Sequence, residues 1–423
     1  MGVGGTINFR ESLLIKNASE ILTCSGFSAK KGVQMRDIGR IEGADILIKN
    51  GKISFIGKVE TDQLDTQIKV IDAHGCSVLP GFVDSHTHFI FGGYRQDEFM
   101  DRLQGVPYME IMQRGGGIIN SVKATRKATH EELASTGKKR LASMLSFGVT
   151  TVEGKSGYGL DLETELKQLR VMKELNTAQP VDIVSTYMGA HAVAPEYEKD
   201  PDRYIDFIIS DVLPKVKEDK LAEFCDVFCE KNVFSIEQSE KLLNSAKKLG
   251  MGIKAHADEI VPFGGAAMAA RVGATSADHL LKASLQDITL MSQNNVVATL
   301  LPLTAFSLNE EYADARLMIE RDCAVALATD MNPGSCFSES IPLLISLAAI
   351  HMKMSIEEII IALTINGAAA VGREKNIGSI DIGKEGDILI LDSPSYKFLA
   401  YHIGVSSVQT VIKNGKVVFS KGG

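Results

Sequence analysis

The chain lacks any apolar run of the roughly 18 residues that span a bilayer. Its first residues do not follow the charged, then apolar, then small-residue order of a secretory leader. The expectation is therefore a protein neither inserted in a membrane nor secreted. No basic block stands out in a chain of formal net charge −8, so nothing is there to neutralise phosphates, and nucleic acid and anionic membranes are poor partners. A cysteine framework is missing too. The six cysteines, Cys24, Cys76, Cys225, Cys229, Cys323 and Cys336, follow no regular spacing, which predicts reduced thiols in a cytoplasmic protein. Cys225 and Cys229 flank a strand-like run and are expected to pack against it, not to bind zinc. The opening Met-Gly-Val-Gly-Gly-Thr matches the short pattern for myristoylation at Gly2, but so permissive a pattern recurs by chance.

What is present is ordinary globular material, 45% hydrophobic and 23% charged, over 423 residues. That length accommodates a barrel of roughly 250 residues or more and a smaller partner domain. Two distant segments read alike: ADILIKNGKISFIG from Ala44 to Gly57, and TVIKNGKVVF from Thr410 to Phe419. Each sets β-branched runs around Asn-Gly, the pair favoured in a type I′ hairpin turn because both residues must accept positive φ. GKEGDILILD, Gly383 to Asp392, offers one more strand to the same sheet. The two ends are thus expected to build one small antiparallel β-sandwich domain, residues 1–78 with 376–423.

Between them, over 79–375, short apolar runs alternate with helical patterns, the signature of parallel βα units. Eight strand candidates follow in order, Val78 to Asp84, Val149 to Glu153, Ile183 to Ala190, Cys225 to Cys229, Gly252 to Ala255, Ala274 to Ala277, Val296 to Leu300 and Ala324 to Ala328. Eight is the number that closes a barrel, so the fold expected is α/β, a TIM-like (β/α)8 barrel. One helix shows its period in Leu162, Leu166, Leu169, Met172 and Leu175, after a first turn holding Asp161, Glu163 and Glu165. That stripe is core packing.

The strand ends carry the chemistry. In GFVDSHTH, His86 and His88 stand two residues apart at the end of an apolar strand, so the pleat points both to one face. A lone His-x-His is more often a pair of loop histidines. Here it has company, because His256 closes the fifth strand candidate, His279 the sixth and Asp330 the eighth, and only nine histidines exist in the chain. Barrel active sites gather at that rim. Imidazole and carboxylate donors without thiolate suit zinc, iron or another first-row divalent ion. Such an ion lowers the pKa of bound water from about 15.7 toward 7, and Asp330 could touch the metal and receive the water proton. Glu259, three residues after His256, could pass a proton to a leaving nitrogen, or be a solvated loop carboxylate.

Seven stretches in order resemble the amidohydrolase superfamily, and within it the imidazolonepropionase family of histidine degradation, over nearly the whole chain. They are PGFVDSHTHFIFGGYR (Pro80 to Arg95), GGGI with ATR downstream, KSGYGLDLETELK (Lys155 to Lys167), MGAHAVAPEY (Met188 to Tyr197), HADE, SADHL and ALATDMNPGS (Ala326 to Ser335). The resemblance implies one zinc or iron ion per chain, held by His86, His88, His256 and Asp330. It implies substrate contacts at Arg95, Tyr158, His191, Glu259, Asn332, Gly334 and Ser335. The reaction implied is opening of the lactam ring of 4-imidazolone-5-propanoate to N-formimidoyl-L-glutamate by attack of metal-bound hydroxide on the ring carbonyl. In that reading His279 stabilises the oxyanion, Glu259 serves the departing nitrogen, and Arg95 with Tyr158 grips the propanoate. A homodimer follows by analogy. Many relatives bridge two metals with a modified lysine after the fourth strand. Here that region reads FCEKN, and Lys231 is expected to be an ordinary loop charge. Gly154 and Cys336-Phe337 depart from the family pattern and are expected to affect the pocket wall.

Two other readings compete. An aminohydrolase of the cytosine or guanine deaminase kind uses a similar layout, and ammonia release separates it. A noncatalytic barrel scaffold is disfavoured by the complete ligand set.

Overall fold

The computed structural model describes residues 12–60, 68–106, 110 and 116–422. The Gly2 myristoylation pattern and the first residue of GGGI lie outside them. The N-terminal segment supplies β1 (Leu13–Lys16), β2 (Glu20–Leu22), β3 (Arg40–Ile41), β4 (Asp45–Lys49), β5 (Lys52–Gly57), β6 (Lys69–Asp72) and β7 (Ser77–Pro80). Eight parallel strands follow, β8 (Phe82–Asp84), β9 (Val149–Lys155), β10 (Asp182–Ala190), β11 (Phe224–Cys229), β12 (Gly252–Ala257), β13 (Ser276–His279), β14 (Val297–Leu300) and β15 (Val325–Leu327). The C-terminal segment returns with β16 (Ile388–Leu391), β17 (Val408–Lys413) and β18 (Lys416–Ser420).

β8 to β15 pair in sequence order, each with its neighbour, with helices between. Each of the eight candidate runs contributes a barrel strand. The ring closes just past the ends of β8 and β15, where the His86 carbonyl accepts the Asp330 N–H at 3.0 Å and the Met331 carbonyl accepts the His88 N–H at 2.9 Å. Below this, the buried Asp84 carboxylate accepts from the Thr329 N–H at 2.9 Å and hydroxyl at 2.6 Å. The seam of the barrel is therefore made by the backbone of the candidate ligands and the residues beside them.

The apolar run Val78 to Asp84 serves two sheets. It divides at Gly81: β7 pairs with β16 and β2 among the terminal strands, and β8 enters the barrel. A Cβ at Gly81 would lie 2.3 Å from Thr150 Oγ1, so only glycine lets the chain cross against the neighbouring strand.

The chain ends form two sheets, ordered β5-β4-β1-β6 and β18-β17-β16-β7-β2-β3. Leu13, Ile46, Ile48 and Ile53 from the first pack against Ile21, Val78, Ile388 and Ile412 from the second, a sandwich core. Both Asn-Gly turns are as expected, with φ of 54° and 80° at Asn50 and Gly51, and 49° and 70° at Asn414 and Gly415. The hairpins fall in different sheets, however; GKEGDILILD gives its strand to the second, with Ile388 opposite Ile412, while its first residues bridge to β5 of the first through Lys52 and Glu385. The helix Leu162–Ala178 begins at an Asp161 cap and buries Leu166, Leu169, Met172 and Leu175. Among its first-turn acids Glu165 is buried as well, for a reason that lies in the site.

Candidate active site

Four side chains from the ends of β8, β12 and β15 converge. Asp330 Oδ1 lies 3.5 Å from His86 Nε2 and 3.9 Å from His88 Nε2, and His88 Nε2 lies 3.4 Å from His256 Nε2. Donors held about 2.0–2.2 Å from a tetrahedral ion stand about 3.3–3.6 Å apart, so these separations fit one small divalent cation. His86 Nε2 is fully buried and has no hydrogen-bond partner among the described residues, which is costly unless a cation takes its lone pair. Burial, followed by the charge of neighbouring groups, drives the pKa of all three imidazoles well below its usual value, leaving the neutral, ligating form. Donor chemistry, spacing and protonation all fit a metal. His279 also lies near His86 and His256, but its Nδ1 faces Glu259 Oε1 at 3.5 Å. Backbone strain marks these strand ends, with φ of 75° at His279 and 50° at Asp330, both non-glycine.

Carboxylates hold the far sides of two rings. Asp278 Oδ2 is 2.7 Å from His86 Nδ1, and Asp226 Oδ2 is 3.1 Å from His256 Nδ1. The Asp278 hydrogen bond directs His86 Nε2 toward the common point, whereas Asp226 stands behind His256 at ion-pair distance without hydrogen-bond geometry. Asp330 itself accepts the Thr304 hydroxyl at 2.7 Å on its other oxygen, and burial pushes its pKa up to about 7. Burial does the same to Glu259, reinforced by Asp330 and Glu230, raising it to about 8. A carboxyl that keeps its proton near neutrality beside a metal-ligand set is suited to proton transfer.

A cavity of about 460 Å³ opens above these donors. Arg95, Tyr158, His191, Glu259, Asn332, Gly334 and Ser335, spread over 241 positions of sequence from Arg95 to Ser335, all line it, with His88, His256, His279 and Asp330 at its floor. Arg95 offers less than a free fork, because Glu98 takes its Nε and Nη2 at 2.8 Å each, leaving Nη1 against Gly334. The Tyr158 ring packs 5.8 Å from His88, and His191 stacks on His88 at 4.8 Å. Asn332 spends its amide on the Asn-Pro-Gly-Ser turn, accepting from the Gly334 and Ser335 N–H groups at 2.8 Å each and donating to the Asp330 carbonyl at 2.7 Å. It shapes the rim on which Gly334 and Ser335 sit.

Several supporting residues had escaped the reading of the sequence. Glu165 accepts N–H bonds from Gly157, Gly159 and Leu160 at 3.1, 2.8 and 2.9 Å, fixing the loop that carries Tyr158. Glu230 accepts from the Glu259 and Ile260 N–H groups at 3.1 and 2.9 Å, and so aims Glu259. Asp258 takes four N–H groups from Phe263 to Ala266 and pins the next loop. Lys231 is exposed, as expected of a loop charge. Gly154 does not touch the pocket. A Cβ there would meet Phe89 at 2.6 Å, outside the strand, so its effect is on packing. Cys336 and Phe337 border a separate apolar cavity of about 410 Å³ beside the first, which shares Arg95 and Gly334 with it.

The family model described as the amidohydrolase family matches residues 77–418. An imidazolonepropionase of Clostridium tetani is 59% identical over 414 residues, covering 97% of this chain and 99% of its own. An imidazolonepropionase of Parabacteroides distasonis is 56% identical over 408 residues, covering 96% and 98%. Among solved structures, a triazine hydrolase variant shares the fold at a TM-score of 0.72 with 16% identity over 97% of this chain and 95% of its own. A zinc-bound adenosine deaminase of Xanthomonas campestris does so at 0.69 with 19% identity over 96% and 92%.

Proposed function

The chain belongs to the amidohydrolase family, and within it to the imidazolonepropionases, and we propose on that premise that it opens the lactam ring of 4-imidazolone-5-propanoate to N-formimidoyl-L-glutamate in histidine degradation. It is a metal-dependent hydrolase acting on a cyclic amide. One observation carries the assignment of roles: three of the four metal-type donors, His88, His256 and Asp330, face a single cavity sized for a small ligand together with the Glu259–His279 pair and the Arg95 guanidinium.

A cation held by His86, His88, His256 and Asp330 would polarise the ring carbonyl and acidify a neighbouring water. The remaining work falls to side chains of the protein. Nη1 of Arg95 meets the propanoate, with the Tyr158 hydroxyl on the same side. Gly334 and Ser335 present backbone and hydroxyl from the rim, and His191 walls the ring from the side of His88. Asp330, with Oδ2 fixed by Thr304, accepts the proton that the attacking water loses. Neutral His279 donates a hydrogen bond to the oxygen on which charge develops. Glu259, protonated near neutral pH, delivers its proton to the ring nitrogen as the C–N bond breaks.

Zinc or iron is the metal, one ion per chain, in a homodimeric cytoplasmic enzyme without nucleic-acid or membrane partners. The donor set supports the metal and the net charge of −8 the lack of polyanionic partners, no helix among the described residues is long and apolar enough to cross a membrane, and the homodimer and the cytoplasm rest on analogy with the family. The same reading divides the chain into a terminal β domain, 1–78 with 376–423, and a barrel over 79–375, supported by a sandwich core drawn from the two chain ends.

The test is incubation with freshly made imidazolone propanoate, following the loss of its ultraviolet absorbance and assaying formimidoylglutamate. Product should form without ammonia. An inert imidazolone together with ammonia release from a purine or pyrimidine would transfer the protein to the deaminases.

A further inference from the structure

Below the histidines the barrel is filled with charge. Lys155 Nζ lies 2.6 Å from Asp226 Oδ2, 3.0 Å from Glu153 Oε2 and 3.4 Å from Asp278 Oδ2, and all four side chains are fully buried. Lys254, equally buried, reaches Glu153 Oε2 at 2.5 Å and donates to the Ser85 carbonyl at 3.0 Å. Two ammonium groups against three carboxylates leave one net negative charge buried inside the barrel. Apolar residues of similar volume would fill such a space at least as stably, because desolvating ions offsets most of their mutual attraction. Stability is therefore a weak reason for this cluster.

Its contacts supply a better one. The Asp226 oxygen bonded by Lys155 is the oxygen that faces His256 Nδ1 at 3.1 Å. The Asp278 oxygen near Lys155 is the one that holds His86 Nδ1 at 2.7 Å. A single ammonium thus reaches both oxygens that stand behind metal-type imidazoles from different strands, one hydrogen-bonded to its ring and one in ion-pair contact with it. Lys254 does not duplicate this, since its charged partners among the described residues are Glu153 and, at 3.7 Å, Asp278.

We propose that Lys155 is a positioning residue for the metal centre, clamping Asp226 and Asp278 so that His256 and His86 present Nε2 to one point. This rests on the reading of His86 and His256 as ligands. Without the ammonium, three buried carboxylates face the one charge of Lys254. Asp226 then loses the bond that fixes its Oδ2, and rotation of the His256 ring carries Nε2 away from the other donors.

Cobalt(II) titration of the metal-free protein tests it without substrate, by dissociation constant and visible absorption bands. Lys155→Met should weaken cobalt binding tenfold or more and shift the bands, the range expected when a group behind a ligand is lost. Asp226→Asn should act in the same direction, and the double variant should bind no worse than the weaker single one, because both break one clamp. A lysine that merely fills space would lower the melting temperature and leave both readouts alone. A folded Lys155→Met with wild-type affinity and bands overturns the proposal. Should that variant not fold, Asp226→Asn, which keeps the ammonium, decides, and wild-type affinity there overturns it equally. A wild-type protein that takes up no cobalt fails differently, removing the ligand assignment itself.

Discussion

The Arg95 guanidinium rests directly on Gly334, so closely that a Cβ at position 334 would lie 2.2 Å from Nη1. Glu98 fixes the other edge of the same group. Gly334→Ala would therefore push away the one donor left for a substrate carboxylate while leaving the metal-type donors in place. KM should rise tenfold or more with a smaller change in kcat, since the lost contact is made in the ground state and transition state alike. Steady-state kinetics decide, and an unaltered KM would detach Arg95 from the propanoate.

Removing the metal should abolish turnover and also loosen the fold around the site. Without a cation, His86 Nε2 stays buried and unpaired, and Asp330 carries a pKa near 7 in place of a ligand's charge. A ligand at a thousand times its Kd contributes about 4 kcal/mol to stability, so chelated protein should melt several degrees lower and recover both stability and activity with zinc or ferrous ion. Activity surviving in preparations shown metal-free by elemental analysis would refute the site as read.

Much of this site was legible because barrel strands expose a period of two. His86 and His88 share a face by spacing alone, and His256, His279 and Asp330 end runs whose apolar character marks them as strands. The same period offered a signal that went unread. Glu153 and Lys155 alternate on β9 as Lys254 and His256 do on β12, so charged residues point inward with the ligand. Their meaning was hidden because Lys155 finds its partners at Asp226 and Asp278, 71 and 123 residues away. Glu165 and Glu230 were invisible for another reason. Their partners are backbone N–H groups, and a carboxylate in a first helical turn or a loop looks the same in sequence whether it faces water or holds a loop. The split at Gly81 follows from sheet geometry, which one continuous apolar run does not reveal.

Gly415 tests the terminal hairpin independently of chemistry. Its φ of 70° disfavours any side chain, and a Cβ would meet Ile48 Cγ2 at 2.7 Å. Gly415→Ala should cost about 1–3 kcal/mol in unfolding free energy. The turn follows Lys413, whose ammonium bonds Asp182 at the start of β10, the end of the barrel remote from the ligands. Activity per folded molecule should be unchanged. A loss of kcat without loss of stability would contradict this division of labour.

Glu259 bears on both turnover and stability. Glu259→Gln should lower kcat a hundredfold or more with the metal retained, the usual cost of losing a positioned proton donor. Its pKa of about 8 also makes a stability statement about the metal-free protein. The folded state holds this proton more tightly than the unfolded chain, where the value is about 4.5. The stabilisation is therefore fully present below about pH 4.5 and lost as pH rises through 8. Asp84 titrates in both proteins and cancels in the comparison, while the mutual repulsion of Asp330 and Glu259 is lost in the variant and counts within the difference. Because the Glu259 side chain is 17% exposed, the difference should be on the order of 2 kcal/mol, well under the full shift. Between pH 5 and 8.5, metal-free wild type should lose about that much unfolding free energy relative to metal-free Glu259→Gln. Denaturant unfolding at both pH values measures it, and parallel behaviour of the two proteins would mean that Glu259 is already ionised in the fold and cannot serve as the acid.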